Sequence, residues 1–301
     1  MGPSLCVLAK RAAESAGTSV NVVAISRFSN EETRSWLEAQ GVRTLSCDLM
    51  DRGAVAGLPD AENVVYLVGL KFGTQDDPAR TWAVNTLIPA FVAERYARAR
   101  IVALSTGNVY PQVPVGGGGS VESDALTPLG EYANAAVARE RIFEYFSGRH
   151  GTPATLIRLN YAVELRYGVL VDIAQMVWRG DPVDVTVGHL NCIWQGDAND
   201  MILRALRLAE CPPTAVNLTG IQQLSVHDLA GRLGELMDRP VQVTGTEGPA
   251  ALLSNTTRMQ RLLDTPPTTI DRMLEWTADW IRSGGATLDK PTHFQVSDGQ
   301  Y

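Results

Sequence analysis

The sequence predicts an α/β fold built on a doubly wound parallel sheet. Three observations support this prediction. Helical and strand patterns alternate over residues 1–160. The strand patterns are short, continuous apolar runs, which are typical of strands buried on both faces. Over residues 161–301 the pattern becomes less regular, which predicts a second, smaller region.

Apolar spacing and end signals predict each element of the first region. The helix over 30–40, for example, has Ser29 or Asn30 as its N-cap, two glutamates in its first turn and Gly41 after its end. Helices are predicted over 4–16, 30–40, 81–98 and 131–149. Strands are predicted over 19–25, 43–47, 63–69, 101–105 and 154–159.

The second region contains more helix than strand. Its predicted helices span 168–178, 197–209, 224–237 and 269–282, and its predicted strands span 215–218 and 240–244. We expect this region to interleave with the first around residues 190–220. The glycine-rich segment 116–120 is predicted to be a mobile surface loop, and an active-site lid is the alternative interpretation.

Composition argues against several classes of function. The formal net charge of −7 argues against nucleic acid and anionic membranes as partners. No apolar run reaches the roughly 20 residues that span a bilayer, so no membrane segment is expected. The four cysteines are scattered, and neither Cys nor His occurs in pairs with ligand spacing. We therefore expect a reduced, cytoplasmic protein without a metal site.

Two hydroxyl side chains follow the most apolar of the predicted strands. The run 101–105 ends in Ser105, and Thr106 comes next. In an open α/β sheet the carboxyl ends of the strands face the ligand crevice, so both hydroxyls are expected there. Tyr132 starts the next predicted helix. A tyrosine at this place is a candidate general acid or base for a substrate hydroxyl.

These residues resemble the extended short-chain dehydrogenase/reductases of the NAD-dependent epimerase/dehydratase family. The most specific part of the resemblance is Ser105-Thr106-x-x-Val109-Tyr110, followed by Tyr132 after a loop of the usual length. The resemblance extends over nearly the whole chain. It implies that Tyr132 is the catalytic acid or base, and that Thr106, with Ser105 beside it, orients the reacting oxygen.

The resemblance also implies a nicotinamide cofactor, NAD or NADP, bound by residues 1–160 as a Rossmann-like domain. Residues 161–301 would then form the substrate-binding region. The implied cofactor-binding residues are Gly2, Ser26, Arg27, Asp48, Leu49, Gly69, Leu70, Lys71, Asn85 and Asn160. Ser26-Arg27 lacks the acidic side chain that accepts a hydrogen bond from the NAD ribose, so the sequence favours NADP. In the alternative, Arg27 is an ordinary loop residue or only stacks on adenine.

The start of the sequence departs from the family pattern. A dinucleotide-binding unit begins with a strand and a glycine-rich turn, whereas this sequence opens at Met1-Gly2, already in the predicted helix. Gly2 resembles the third glycine of that turn. We expect translation to start upstream of Met1; in the alternative, the protein is truncated and binds its cofactor poorly. Without the first strand, its two neighbours are expected to lack ladder partners on one side.

Position 136 is the second departure. The family's Tyr-x-x-x-Lys motif places an ammonium group near the tyrosine, which lowers the pKa of its phenol. Here the residue four positions after Tyr132 is Ala136. Arg139 returns to the same helix face and is one candidate replacement, although a solvated surface arginine is the favoured interpretation. Asn134 and Lys71 are the other candidate replacements for the lysine of the motif.

Two functional hypotheses follow. The first is an NAD(P)-dependent epimerase/dehydratase-type oxidoreductase that acts by hydride transfer on a sugar, sugar acid or sugar nucleotide. The second is a catalytically retired Rossmann-like protein that binds or senses a dinucleotide. Ala136 supports the second hypothesis, and the retained Thr106 and Tyr132 support the first. The resemblance also implies a homodimer formed through the helices that contain Asn85 and Tyr132.

Overall fold

The computed structural model describes residues 1–71, 73–74, 76–290 and 292–295. The helices are α1 (Gly2–Ser15), α2 (Glu31–Ala39), α3 (Arg52–Ala56), α4 (Pro78–Arg95), α5 (Glu131–His150), α6 (Val169–Arg179), α7 (Gln195–Arg204), α8 (Val226–Met237), α9 (Thr257–Leu263) and α10 (Ile270–Arg282). The strands are β1 (Val23–Ser26), β2 (Arg43–Ser46), β3 (Asn63–Tyr66), β4 (Arg100–Thr106), β5 (Val113–Pro114), β6 (Ala154–Leu159), β7 (Ala162–Val163), β8 (Val183–Asp184), β9 (His189–Leu190), β10 (Ile193–Trp194), β11 (Thr214–Leu218), β12 (Leu224–Ser225), β13 (Val243–Thr244) and β14 (Ala250–Ala251).

Parallel strands form the centre of the fold, as the sequence predicts. Strands β3, β4, β6 and β11 form a four-stranded sheet in the order β11-β6-β4-β3, and every neighbouring pair in it is parallel. Strands β1 and β2 form a separate parallel pair. Within the described residues no ladder joins β1 to β3, so each of them is paired on one side only. This matches the expectation for these two strands.

Side chains of β4 alternate between the two faces of the sheet and so divide the core into two layers. Ile101 and Ala103 belong to an apolar cluster that includes residues of α4 and α5. Val102 and Leu104 belong to a second cluster, which includes residues of α1, α7 and α9. Helices therefore cover both faces of the sheet, which confirms the predicted doubly wound architecture.

Helices α6, α8 and α10 pack together into a further apolar core in the second half of the chain. The elements of the second half are not all in this core, because β11 extends the parallel sheet beside β6 and α7 packs on α1. Strand β14 pairs with β5, which joins the loop after β4 to the same half. None of the described helices has the length and apolar character needed to cross a membrane.

Several predicted boundaries are wrong by a few residues. The predicted strands 19–25 and 63–69 are shorter in the structure, where β1 spans Val23–Ser26 and β3 spans Asn63–Tyr66. Helix α4 begins at Pro78 rather than at residue 81, because the Asp77 side chain caps it and proline fits the first helical turn. The predicted helix 197–209 ends as an α-helix at Arg204 and continues as a 3-10 turn.

Candidate active site

A cavity of about 760 Å³ opens at the carboxyl ends of β3, β4 and β6. It extends from the first turn of α5 to the first turn of α1 and to one side of α2. Six of the predicted site residues line it: Gly69, Lys71, Ser105, Thr106, Tyr132 and Asn160. The cavity therefore lies where ligands bind in open parallel sheets.

Ser105 and Thr106 differ in how their hydroxyls are used. The Thr106 hydroxyl accepts a hydrogen bond from the Asn108 backbone N–H at 3.2 Å and lies 3.1 Å from Asn108 Oδ1. It thereby caps the short 3-10 turn that follows β4. The buried Ser105 hydroxyl has no hydrogen-bond partner among the described residues. Ser105 therefore carries a buried hydroxyl whose hydrogen bonding no described residue satisfies.

Tyr132 lies in the first turn of α5, and its side chain is buried against the cavity. The helix begins after Gly130, whose φ of 83° is a conformation that glycine adopts without strain. Tyr167 lies on the same cavity wall. Burial raises the pKa of Tyr167 to about 12, with further contributions from Asp172 and Tyr132. Tyr167 is therefore a neutral phenol at physiological pH.

Two oppositely charged residues, Lys71 and Asp172, interact from different halves of the chain. Burial lowers the pKa of Lys71, and the Asp172 carboxylate partly offsets this effect. Burial raises the pKa of Asp172. The Asp172 carboxylate also accepts hydrogen bonds from Thr292, at 2.8 Å from its backbone N–H and 2.6 Å from its hydroxyl. Thr292 itself is part of the cavity lining.

The favoured interpretation of Arg139 as a solvated surface residue is wrong. Its side chain is buried, at 4% exposure, and it lines the cavity. Ala136, by contrast, is fully buried in a small cluster with Val109 and Tyr110. The turn after β4 therefore covers the α5 face at Ala136, while Tyr132 and Arg139 border the cavity.

The remaining predicted residues are not part of the cavity lining. Ser26 and Arg27 are exposed at the carboxyl end of β1, and exposed Asp48 accepts a hydrogen bond from the Met50 backbone N–H. Leu49 packs on the core beside α4. These four positions stay predictions.

Gly2, Leu70 and Asn85 also lie outside the lining of the cavity. Gly2 lies between two wall residues in the first turn of α1. Asn85 is fully buried, and its amide donates to the Leu70 carbonyl at 3.1 Å. Its Oδ1 accepts a hydrogen bond from the Arg139 guanidinium, so Asn85 supports a residue of the wall.

A buried polar network supports the strand ends beneath the cavity. Arg158 of β6 forms an ion pair with Glu140 of α5 at 2.8 Å and donates to the Tyr110 hydroxyl at 2.7 Å. Tyr110 in turn donates to the side chain of Asn217, in β11, at 2.8 Å. The network thus joins two strands, one helix and the turn after β4.

The sequence did not single out Tyr167, Asp172 or Thr292. Tyr167 falls inside residues 161–301, which the resemblance implies as the substrate-binding region. No local pattern predicts the contact between Asp172 and Thr292, because the two residues are 120 positions apart in the chain.

Comparisons with known proteins identify the family. A sequence model of the NAD dependent epimerase/dehydratase family matches residues 6–163. A search of curated protein sequences finds no significant match. The fold is similar to that of UDP-glucose 4-epimerase from Thermotoga maritima with UDP-glucose, at 17% identity and a TM-score of 0.76 over 94% of this chain and 96% of that chain. It is also similar to UDP-glucuronic acid 4-epimerase from Bacillus cereus with NAD, at 15% identity and a TM-score of 0.77 over 94% and 95% of the two chains.

A third similar structure, RMD from Pseudomonas aeruginosa with NADPH, is 18% identical, with a TM-score of 0.69 over 88% of this chain and 100% of that chain. The similarity to these three structures is evidence about the fold alone. The sequence match spans more than half of the 301 residues and includes the strand that carries Ser105 and Thr106 as well as Tyr132. This chain therefore belongs to the NAD-dependent epimerase/dehydratase family of enzymes.

Proposed function

We propose that this enzyme is an NAD(P)-dependent oxidoreductase of the epimerase/dehydratase type. Its substrate would be a sugar, a sugar acid or a sugar nucleotide, oxidised or reduced at a hydroxyl-bearing carbon. One observation carries the proposal: Ser105, Thr106 and Tyr132 lie on the wall of a single cavity at the carboxyl ends of parallel strands. A phenol and two hydroxyls there suit proton transfer to and from a substrate hydroxyl.

The cavity fits a nicotinamide dinucleotide in three respects. The first turn of α1 has no side-chain cap and lines the cavity, and helix N-termini favour phosphate groups. Gly69, in the loop after β3, leaves the wall without a side chain. The Nε atom of buried Arg139 has no partner among the described residues. When bound, the dinucleotide supplies the hydride acceptor or donor.

Side chains of the protein would transfer the proton of the substrate hydroxyl and hold the substrate oxygen in position. Tyr132 would act as the phenolate, taking the substrate hydroxyl proton at its oxygen, and the phenol so formed would return that proton in the reverse direction. Ser105 would donate a hydrogen bond to the same substrate oxygen, since its hydroxyl is unpaired among the described residues. Thr106 would hold the turn that presents Ser105, through its bonds to Asn108.

Replacing Tyr132 with phenylalanine tests this mechanism. The purified enzyme is incubated with NAD+ or NADP+ and a panel of sugars, sugar acids and sugar nucleotides, and reduction or epimerisation is followed. Tyr132→Phe is expected to lower turnover by about 10²-fold or more while dinucleotide affinity stays within a factor of two. Unchanged turnover in this variant would contradict the role of Tyr132. Binding without turnover on every substrate would favour the retired, dinucleotide-binding protein.

We propose NADP as the preferred cofactor, because Arg27 is exposed at the end of β1 and Ser26 supplies no carboxylate. Dissociation constants for NAD+ and NADP+ are compared in the parent, in Arg27→Ala and in the control Arg52→Ala. Arg52 is an exposed arginine whose guanidinium is paired with Glu94. Arg27→Ala should weaken NADP+ binding selectively. Equal affinities for both cofactors before and after the change would reject this role.

We also propose a homodimer formed through α4 and α5, in a reducing cytoplasmic environment that suits the four free cysteines. These two helices pack side by side and expose Trp82, Leu87 and Tyr145. Exposed apolar side chains of this kind are typical of interaction surfaces. Analytical sedimentation of the parent protein should give twice the mass of one chain. The Leu87→Glu substitution should lower this measured mass. A monomeric parent at micromolar concentration would contradict the proposal.

A further inference from the structure

Arg139 is a buried cation without a counter-charge in the described part of the chain. Its Nη1 donates to the Leu104 carbonyl at 2.8 Å, and its Nη2 donates to Asn85 Oδ1. Both acceptors are neutral. No described carboxylate lies within ion-pair distance of Arg139, and Nε has no partner. A buried charge of this kind is unfavourable in the free protein, and an acceptor on a bound ligand would offset that penalty.

The surroundings hold the guanidinium in place. The Asn85 amide donates to the Leu70 and Thr81 carbonyls at 3.1 and 2.9 Å, which directs its oxygen toward Arg139. A Cβ atom on Gly69 would lie 2.6 Å from Nη2, so the absence of a side chain there leaves room for the guanidinium. The φ angle of Gly69 lies outside the left-handed region. A side chain at position 69 would therefore have to displace the Arg139 guanidinium.

The position of Arg139 within the cavity indicates which part of a ligand it meets. It extends from α5, the helix of Tyr132, and bonds to the carbonyl that precedes Ser105. Pro3 and Trp36, from α1 and α2, line other parts of the same cavity. Arg139 is thus tied to the two elements that carry Ser105 and Tyr132, the residues proposed for proton transfer.

We propose that Arg139 is a positioning residue that binds an oxygen of the nicotinamide half of the dinucleotide, either a ribose hydroxyl or the adjoining phosphate. This inference rests on the proposed function, because it assumes that a dinucleotide occupies the cavity. Arginine suits the task, since its planar fork donates several hydrogen bonds and keeps its charge at every physiological pH.

Equilibrium binding to fragments of the cofactor tests the proposal. The dissociation constants of NAD+, NADP+, ADP, nicotinamide mononucleotide and nicotinamide riboside are measured by calorimetry for the parent, Arg139→Met and Arg139→Lys. The control is Arg141→Met, on the same helix, because Arg141 is exposed and paired with Glu144 at 2.7 Å. Loss of a charge-assisted hydrogen bond is expected to weaken NAD+ and the mononucleotide by about tenfold or more in Arg139→Met.

The affinity for ADP should not change, Arg139→Lys should recover part of the loss, and Arg141→Met should behave as the parent. A loss for both the riboside and the mononucleotide assigns the contact to the ribose, and a loss for the mononucleotide alone assigns it to the phosphate. An equal loss for ADP, or none for NAD+, would overturn the inference. A parent protein that binds neither NAD+ nor NADP+ would instead overturn the proposed function itself.

Gly69→Ala provides an independent perturbation that keeps the arginine. Its methyl group would displace the guanidinium, so the same selective loss of NAD+ and mononucleotide affinity is expected. Adding Gly69→Ala to Arg139→Met should then produce no further loss. Losses that multiply in the double variant would show that the two positions act separately and would contradict the proposed coupling. Melting temperatures without ligand verify that each variant is folded.

Discussion

Replacing Glu140 with glutamine is expected to lower the free energy of unfolding by about 3 kcal/mol, because it breaks a buried ion pair. The Arg158 guanidinium meets the Glu140 carboxylate with two nitrogens, at 2.8 and 3.1 Å. Their side chains are 5% and 1% exposed, respectively. Glutamine keeps the volume and one acceptor oxygen of glutamate, but it removes the charge and replaces the second acceptor with an amide donor.

The size of the expected loss in unfolding free energy follows from the contacts that Arg158 keeps after the substitution. Arg158 would keep its hydrogen bonds to the Tyr110 hydroxyl at 2.7 Å and to the Glu122 carbonyl at 3.0 Å. Its charge, however, would stay buried without a carboxylate. Removing one partner of such a pair typically costs about 3–5 kcal/mol, and the retained acceptor oxygen places the expected loss at the lower end.

Urea unfolding at neutral pH, followed by circular dichroism and tryptophan fluorescence, measures the effect. Glu144→Gln is the matched control, since it makes the same change on the same helix in a pair that is 58% and 35% exposed. That control should lose less than about 1 kcal/mol. Replacing both Glu140 and Arg158 with methionine should restore at least half of the loss, because no buried charge is then left alone.

Equal losses in Glu140→Gln and Glu144→Gln, with an unchanged dependence on urea, would refute this reasoning. Such a result would mean that water reaches Arg158 in the folded protein. A double variant that is less stable than Glu140→Gln would also contradict it, since the packing rather than the unpaired charge would then dominate.

Three further predictions concern the cavity and its surroundings. Ala136→Lys should not raise activity and should destabilise the fold by about 1–3 kcal/mol in urea, because Ala136 is fully buried against Tyr110. Ser105→Ala should lower kcat by about 10²-fold at unchanged stability, whereas Thr106→Val should lower the melting temperature through loss of the turn cap. Burial raises the pKa of Asp172, so the contribution of this one carboxyl group to stability falls as pH rises above the ordinary value of 3.8. Asp172→Asn should therefore raise the melting temperature at neutral pH, and the gain should vanish below that value; a constant gain at all pH values would contradict the assignment.

Local patterns in the sequence were sufficient to predict the architecture of the fold. The apolar run that ends at Ser105 specifies a buried parallel strand, and Tyr132 follows a glycine that starts a helix. These features depend on neighbours in the chain, so they can be read from the sequence before any tertiary contact is known. The boundaries of β1 and β3 could not be read in this way, because the length of a strand depends on its ladder partners.

The sequence by itself determined the doubly wound sheet, the strand end that carries the hydroxyls and the helix that presents Tyr132. Only the tertiary structure decided the environment of α5, where Ala136 is enclosed by the turn after β4 and Arg139 is buried beside the cavity. The partners of Arg139 are Leu104 and Asn85, which lie 35 and 54 positions away in the chain. Helical periodicity predicts which side chains share a face, but the segments that cover that face come from distant parts of the sequence. Burial and charge compensation are therefore set by the folded chain as a whole.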